Sequence, residues 1–366
     1  MNHTLLLLCS FMLQCCALSE KHLNVCLRID LFFYAKDCQA FILRSSQSEH
    51  TGYKRFLLEE LIVEDKMSSE SSFYRPRSAL ARALCEKQNN DRYLQELDQN
   101  EWYRVNRDRL SPELQQKFVQ LHPDEETKQF LSASIEKSSW VWTQIWYLLA
   151  KAVLKRFWSI TDINGWLGRG SMFVLSEAQA RNLLKWTRKQ AGRLVDLGAG
   201  DGEVSRRFAH IYSDKYATEI SWSMRKTLAK KGYTLLDVDE WWRDQQFDCV
   251  CTMNLLDRCS KPKTMLKQAR AAIAPGGVLL VALVLPYKPY VEATSDHKPE
   301  ERLPIYDCCE FEDQVTAFVS FMEKEAGYEL VSWTRTPYLC EGDFAQAYYW
   351  LDDSVYVFKP KAIPSE

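Results

Sequence analysis

The sequence RLVDLGAGDGE at Arg193–Glu203 determines the fold class of this 366-residue chain. Its first part, residues 194–197, has the apolar composition of a short buried strand, and the run GAGDG at 198–202 ends that strand in a tight turn. The pattern from Val204 to Tyr212 is compatible with a helix. A strand, a glycine turn and a helix in this order predict the nucleotide-binding corner of an open parallel sheet.

The glycine spacing and the charges of the turn indicate which ligand it takes. Gly198 and Gly200 allow a ligand to approach the backbone closely, but Glu203 stands where dinucleotide-binding turns carry a third glycine. Asp196 and Asp201 also place negative charge on both sides of the turn, which disfavours a phosphate. Acidic residues suit the ammonium and sulfonium groups of S-adenosylmethionine, and we expect this cofactor.

A second acidic position supports this cofactor. Tyr216–Glu219 is predicted as the second strand, and Glu219 stands at its tip, where its carboxylate is placed to accept both ribose hydroxyls. The alternative is an ordinary glycine-rich turn with solvated acids.

Overall charge and cysteine usage exclude several classes of partner. The net charge is −2 with no block of like charges, which gives no reason to expect a nucleic acid or an acidic membrane as a partner. The twelve cysteines show no CxxC or Cys/His spacing typical of zinc sites, so we expect mostly free thiols and no metal.

The N-terminal 95 residues show little regular pattern. Residues 1–20 resemble the apolar region of a signal peptide, although no Lys or Arg precedes it and the run is too short for a transmembrane helix. A signal peptide, a weak anchor and an unstructured leader all stay open, and any membrane association is expected through the N-terminus only. Residues 21–95 are predicted to be poorly ordered.

Residues 96–185 are predicted to form a helical extension. Ser111-Pro112-Glu113 has the composition of a helix start, and a long helical pattern follows from about Asp124 to Trp158. Its aromatic stripe predicts packing on the catalytic domain, and the alternative is a surface that faces a membrane or a partner.

The sequence INGWLGRGSMF at 163–173 precedes a helix predicted at Ser176–Lys185. Its three glycines surround Arg169, whose planar guanidinium could bind the carboxylate of the cofactor. The alternative is a structural loop.

Residues 186–362 are predicted to form the catalytic domain, in which helices and strands alternate. Such alternation predicts an α/β fold with a parallel sheet covered on both faces, and two final strands without a crossover helix predict a hairpin at the sheet edge. After the second strand we expect strands at 234–236, 247–253, 278–284, 330–336 and 356–358, and helices at 223–231, 263–273 and 312–326.

Four segments should meet beyond the carboxyl ends of the strands: 196–203, Glu219, 254–258 and 285–290. The fourth strand leads into NLLDR rather than the N-P-P-[YF] motif of amide and adenine methyltransferases. Asn254 and Asp257 are therefore the available polar groups. A carboxylate such as Asp257 suits an imidazole, because it can hold one ring N–H and leave the other nitrogen's lone pair free. Alternatively, Asp257 is a helix-capping acid.

Six motifs together resemble the methyltransferase-like protein 9 (DREV) family, over roughly Trp102 to Pro360. They are INGWLGRGSMF (163–173), DLGAGDGE (196–203), YATEIS (216–221), NLLDR (254–258), VALVLPYKPYVE (281–292) and PYLCEGD (337–343). The resemblance implies a class I S-adenosylmethionine-dependent methyltransferase with a Rossmann-like, seven-stranded sheet. It also implies a protein-histidine methyltransferase that modifies the N1 (π) nitrogen in His-x-His sequences after a small residue, in the endoplasmic reticulum or mitochondrion; a cytoplasmic location stays open.

The resemblance also assigns roles to residues. It implies that Asp196, Gly198 and Glu219 contact the cofactor, and that Asn254 and Asp257 hold the acceptor imidazole, with Asn254 also close to the cofactor. Two tyrosines match positions that line the site: Tyr338, which we assign to the cofactor, and Tyr349, which we assign to the substrate together with Tyr287 and Glu341. The alternatives are a methyltransferase with another acceptor and a non-catalytic cofactor-binding scaffold.

Overall fold

The computed structural model describes residues 78–185, 192–292, 294, 296–306 and 309–361. The predicted leader at 1–20 and the predicted poorly ordered region up to residue 77 lie outside this part of the chain. From residue 78 onward that prediction is wrong, because Ser78 caps a regular helix over Ala79–Glu96.

Eight strands in the described residues form one sheet. They are β1 (Met172–Phe173), β2 (Arg193–Leu197), β3 (Asp214–Thr218), β4 (Thr234–Leu235), β5 (Phe247–Met253), β6 (Ile273–Val284), β7 (Tyr328–Glu341) and β8 (Tyr348–Pro360). Their order across the sheet is β1-β7-β8-β6-β5-β2-β3-β4. Strands β2 to β6 are parallel, whereas β7 and β8 form an antiparallel hairpin beside β6.

Ten α-helices accompany the sheet in this part of the chain. They are α1 (Ala79–Glu96), α2 (Pro112–Lys117), α3 (Glu125–Ser139), α4 (Val141–Leu154), α5 (Ile160–Leu167), α6 (Glu177–Leu183), α7 (Glu203–Ala209), α8 (Trp222–Lys230), α9 (Pro262–Ala272) and α10 (Phe311–Lys324). Two 3-10 turns, Gln99–Tyr103 and Arg107–Arg109, precede α2.

The central strands read as apolar runs because both faces of the sheet are covered. Residues 279–283 of β6 are all fully buried, and they alternate between the two hydrophobic cores on opposite faces of the sheet. The predicted class I, Rossmann-like methyltransferase fold is confirmed. The two-residue strand β1 pairs antiparallel with β7 and adds an eighth strand to the seven predicted.

The helical extension and the sheet are not separate domains. Residues 75–366 form one compact unit, and β1 comes from the extension. The Ser332 hydroxyl of β7 also donates to the Leu183 carbonyl of α6 at 2.6 Å. The boundary predicted at residue 186 therefore does not divide two compact units.

The long helix predicted in the extension is divided. Before it, helix α2 is capped by Ser111 as expected and ends at Lys117, beyond which the Val119 N–H pairs with the Trp333 carbonyl of β7 at 2.8 Å. The predicted long helix is interrupted at Trp140, whose ψ of 73° is not helical. The hydroxyls of Ser138 and Ser139 bond carbonyls of the preceding turn there, in competition with the helical ladder.

The aromatic stripe of α4 does not pack on the catalytic core. Trp142 is 83% exposed, and Trp146, Leu149 and Val153 on the same side of the helix are also exposed. The buried side carries Gln144 and Ala150 instead. The predicted packing is therefore wrong for α4, although Phe130 of α3 is buried as expected.

Candidate active site

The glycine turn after β2 has the geometry predicted for close ligand approach. Gly198 and Gly200 have φ values of 62° and 56°, in the left-handed region that favours glycine. A Cβ on Gly198 would lie 2.6 Å from Leu255 Cδ1. The turn after β2 and the turn after β5 therefore touch, which brings the predicted cofactor and acceptor segments together.

Glu219 follows β3 directly and holds the glycine turn. Its Oε2 accepts from the Gly200 N–H at 2.8 Å, and its Oε1 accepts from the N–H groups of Ile220 and Ser221, each at 2.8 Å. It is therefore an ordered carboxylate at the strand tip rather than a solvated acid. Oε1 already accepts two bonds, whereas Oε2 accepts one, so Oε2 can still accept from a ribose hydroxyl.

Asp196 is the most buried acid of the corner, at 2% exposure. Its Oδ1 has no hydrogen-bond partner among the described residues. Burial, with a further contribution from the charge of Glu219, raises the pKa of Asp196 to about 7. A cationic ligand with N–H or O–H donors would satisfy this oxygen and favour the ionised form.

The charge around the other acid of the turn differs from the sequence-based expectation. Lys231, just after α8, donates from Nζ to the Asp201 carbonyl at 2.7 Å and lies 3.8 Å from its carboxylate. The same ammonium pairs with Glu203. Asp201 and Glu203 are therefore partly neutralised, and the uncompensated acidity of the corner is at Asp196 and Glu219.

Asn254 has a strained backbone and a fixed side chain. It follows β5 with a φ of 55°, which is uncommon for a residue other than glycine. Its Nδ2 donates to Asp353 Oδ2 at 2.9 Å, and Asp353 Oδ1 accepts from the Ser354 N–H at 2.8 Å. Asn254 Oδ1 is buried and has no partner in the described part of the chain. The amide therefore presents an acceptor oxygen away from Asp353.

Asp353 is a candidate site residue that the sequence analysis missed. It is fully buried in β8, and burial raises its pKa to about 8. The available signal was an acidic pair, Asp352-Asp353, just before the buried hydrophobic run Val355–Phe358 of the same strand. Its partner lies on another strand, which sequence alone does not reveal.

Asp257 is buried beside a cation. Its side chain is 5% exposed, and Arg258 Nε lies 3.2 Å from its Oδ2. Its Oδ1 is buried and lacks a partner among the described residues. Burial raises the pKa of Asp257, against the opposing effect of Arg258. The Asp257 carbonyl accepts from the Tyr290 N–H at 2.8 Å, so the loop at 285–290 does reach this site, as predicted.

The hairpin strands supply one face to the site. Cys340 pairs with Tyr349, and Tyr338 lies two residues before Cys340, so these side chains share the face that carries Asp353. The carboxylates of Asp353 and Asp257 add to the effect of burial in raising the pKa of Tyr338, whose hydroxyl also bonds the Met172 sulfur.

Glu341 is placed away from this face. It points to the opposite side of β7, where its carboxylate lies 3.1 Å from Lys137 of α3. Its predicted contact with the substrate is therefore wrong, because the side-chain alternation of the strand turns it toward the helical extension.

Tyr287 and Arg169 both bond backbone groups of the protein itself. Tyr287 is 2% exposed, and its hydroxyl accepts from the Leu303 N–H, so it supports the loop from the core and does not line an open surface. An Arg169 guanidinium nitrogen donates to the Gly342 carbonyl at 2.6 Å, and its carbon lies 4.5 Å from the Tyr147 ring centre. These contacts hold the turn after β7; binding of the cofactor carboxylate stays a prediction.

The chain was compared with known proteins. A family model described as DREV methyltransferase matches residues 102–360. An uncharacterized protein of Methanocaldococcus jannaschii is 26% identical over 128 residues, which are 34% of this chain and 58% of that relative's length.

Similar solved structures were also found. One is a complex of DhpI with SAH (14% identity, 64% of this chain and 98% of the other, TM-score 0.34). Another is the N-methyltransferase NodS from Bradyrhizobium japonicum with S-adenosyl-L-homocysteine (12% identity, 48% and 80% coverage, TM-score 0.30).

Proposed function

The chain belongs to the DREV methyltransferase family, and from this premise we propose that it methylates histidine side chains of proteins. The observation that supports a histidine acceptor is the pair of buried oxygens, Asn254 Oδ1 and Asp257 Oδ1, which lie in one turn against Gly198 and lack donors among the described residues. A ligand with N–H groups can donate to both of them.

The cofactor is S-adenosylmethionine, which supplies an electrophilic methyl group on a positively charged sulfur. The residues of the corner fit it: Glu219 Oε2 can accept from a ribose hydroxyl, and the unpaired Oδ1 of Asp196 can accept from a donor on the cationic cofactor. The left-handed turn at Gly198 and Gly200 keeps the backbone open to close approach.

Asp257 would control which imidazole nitrogen reacts. An N–H of the substrate ring donates to Asp257 Oδ1, so that the lone pair of the other nitrogen faces the methyl donor. Transfer of the methyl group, with the neutral thioether S-adenosylhomocysteine as the leaving group, would leave a positive charge on the ring, which the Asp257 carboxylate would stabilise. Asp257 can then accept the N–H proton and pass it to water. Most of the rate enhancement would come from positioning, since the transfer needs no covalent intermediate with the protein.

The protein substrates proposed are those with His-x-His sequences, modified at the N1 (π) nitrogen. This part of the proposal rests on the family resemblance of NLLDR and PYLCEGD. Tyr338 and Tyr349 lie on the hairpin face shared with Asp353 and could flank the acceptor there.

The proposal is tested with purified full-length chain, labelled S-adenosylmethionine and an Ala-His-Ala-His peptide. A matched peptide carries Gln at both histidine positions. We expect label in the histidine peptide alone. Label in both peptides would indicate another acceptor. Cofactor binding by calorimetry with no label in any protein or peptide substrate would favour a non-catalytic scaffold.

A further inference from the structure

An apolar surface outside the active site runs along the helical extension. Trp142, Trp146, Leu149 and Val153 of α4 are spaced so that they share one side of the helix, and all four are exposed. Large exposed apolar patches on soluble proteins mark sites of interaction with proteins or membranes. The stripe therefore needs a partner.

The exposed surface continues onto two further helices. Trp158, just after α4, contacts Trp166 of α5 and Trp222 of α8, with ring centres 6.1 and 5.7 Å away. We call the following exposed residues together the aromatic surface: Trp142, Trp146, Leu149, Val153, Phe157, Ile160, Trp166 and Trp222.

The local charge of this surface differs from that of the whole chain. Residues 137–161 contain four Lys or Arg and no Asp or Glu, and residues 220–236 contain another four with no acid. Both stretches contain residues of the aromatic surface. This part of the chain is therefore locally basic, although the net charge of the whole chain is −2. Four of these cations, Lys155, Arg156, Lys226 and Lys230, are exposed, whereas Lys137 and Lys231 pair with Glu341 and Glu203. Lys226 Nζ lies 4.5 Å from the Trp222 ring centre.

We propose that the aromatic surface docks on a bilayer that contains anionic lipids. Exposed Trp and Phe beside Lys and Arg are the composition of helices that lie in the membrane interface, where indole rings sit at headgroup level. The α4 stripe is a ridge rather than a groove, which suits a deformable lipid surface. Within the described residues no helix is long and apolar enough to cross a membrane, so α4 would lie on the bilayer.

This site lies outside the N-terminal residues, through which the sequence analysis expected any membrane association. It corresponds to the alternative given there for the aromatic stripe, a surface that faces a membrane or a partner. The proposal is independent of the acceptor specificity of the enzyme.

The test is co-sedimentation of the full-length chain with phosphatidylcholine vesicles, with and without phosphatidylserine. We expect stronger binding to the anionic vesicles and release by salt. The variant Trp142→Glu/Phe157→Glu changes side chains that are 83% and 78% exposed, so the fold should persist. It should bind anionic vesicles at least about tenfold more weakly. Arg156→Gln should lose about fivefold.

Tyr306→Glu is the matched control, because Tyr306 is 71% exposed and lies outside the aromatic surface. It should bind as the wild type does, and circular dichroism and cofactor affinity should be unchanged in all variants. Equal vesicle binding by Trp142→Glu/Phe157→Glu and wild type would overturn the proposal and indicate the N-terminus as the anchor. Absence of vesicle binding by the wild type would also overturn it, as would a dimer in light scattering that the same double substitution dissociates.

Discussion

Asp353→Asn tests whether the orientation of the Asn254 amide matters for catalysis. In the wild type the two oxygens of Asp353 accept from two donors, Asn254 Nδ2 at 2.9 Å and the Ser354 N–H at 2.8 Å. An asparagine at 353 has one acceptor oxygen and one NH2 group. Either Asn254 Nδ2 or the Ser354 N–H must then face the new NH2 group. Alternatively, the Asn254 amide must flip, so that its Oδ1 and Nδ2 exchange places.

The magnitude follows from the burial of these groups. A buried donor left unsatisfied costs about 1–3 kcal/mol, which corresponds to a fall in kcat/KM of about 5-fold to 150-fold if the cost falls on the transition state. An Asn254 amide that turns over would present N–H groups where Oδ1 now faces the site, in conflict with a donor on the ligand. We therefore expect a loss near the middle of this range, about 30-fold.

The assay is a double-mutant cycle on kcat/KM for the Ala-His-Ala-His peptide, with cofactor affinity measured separately. If Asp353 acts through Asn254, Asp353→Asn should cost little further in an Asn254→Ala background. Additive losses would refute the reasoning, because they would mean that Asp353 affects catalysis by another route. Thermal unfolding of each variant identifies losses that come from instability.

The pH dependence gives a second readout for Asp353. Protonation removes the negative charge and makes the oxygen that carries the proton a weaker acceptor, so the bond to one of the two donors is weakened. Because the pKa of Asp353 is about 8, kcat/KM should rise as pH increases through about 8. Asp353→Asn should lack this limb. If the variant kept a rise in kcat/KM with the same midpoint, another group would be responsible for the pH dependence.

Three further predictions concern the cofactor corner and Asp257. Asp257→Asn should lower kcat/KM about 100-fold while cofactor affinity by calorimetry is retained; parallel loss of cofactor binding would place Asp257 in the cofactor site. Gly198→Ala should lower the melting temperature and abolish cofactor binding. The new Cβ would lie 2.6 Å from Leu255 Cδ1, and the residue would have to keep a φ of 62°, which favours glycine. An unchanged melting temperature would contradict this prediction. Cofactor affinity should increase with pH between about 6 and 8, because the pKa of Asp196 is about 7 and its ionised form favours a cation; Asp196→Asn should flatten this dependence.

The catalytic fold was largely predictable because its signals are local. Strand β5 has the predicted bounds, Phe247–Met253, since an apolar run between turn residues specifies a buried strand. The turn that contains Gly198 followed from its glycine spacing alone. Asn254 and Asp257 were predictable because they directly follow this strand at the carboxyl edge of the sheet.

The features that the sequence did not reveal depend on distant contacts. Asp353 meets Asn254 across β6, 99 residues away in the chain. The exposure of Trp142 could not be read from helical spacing, because an apolar stripe has the same period whether it faces a core or an external partner. Glu341 was misassigned because the motif gives its position on β7 but not which face it occupies.

The most direct test of the central claim is the identity of the nitrogen that is methylated. The peptide Ala-His-Ala-His is labelled by the wild-type chain and hydrolysed, and the two methylhistidine isomers are separated. If Asp257 holds the N3 N–H of the ring, so that N1 faces the donor as the family resemblance implies, all label should be in N1(π)-methylhistidine. Label divided between the two isomers, or present only in the N3 isomer, would contradict this account of the site.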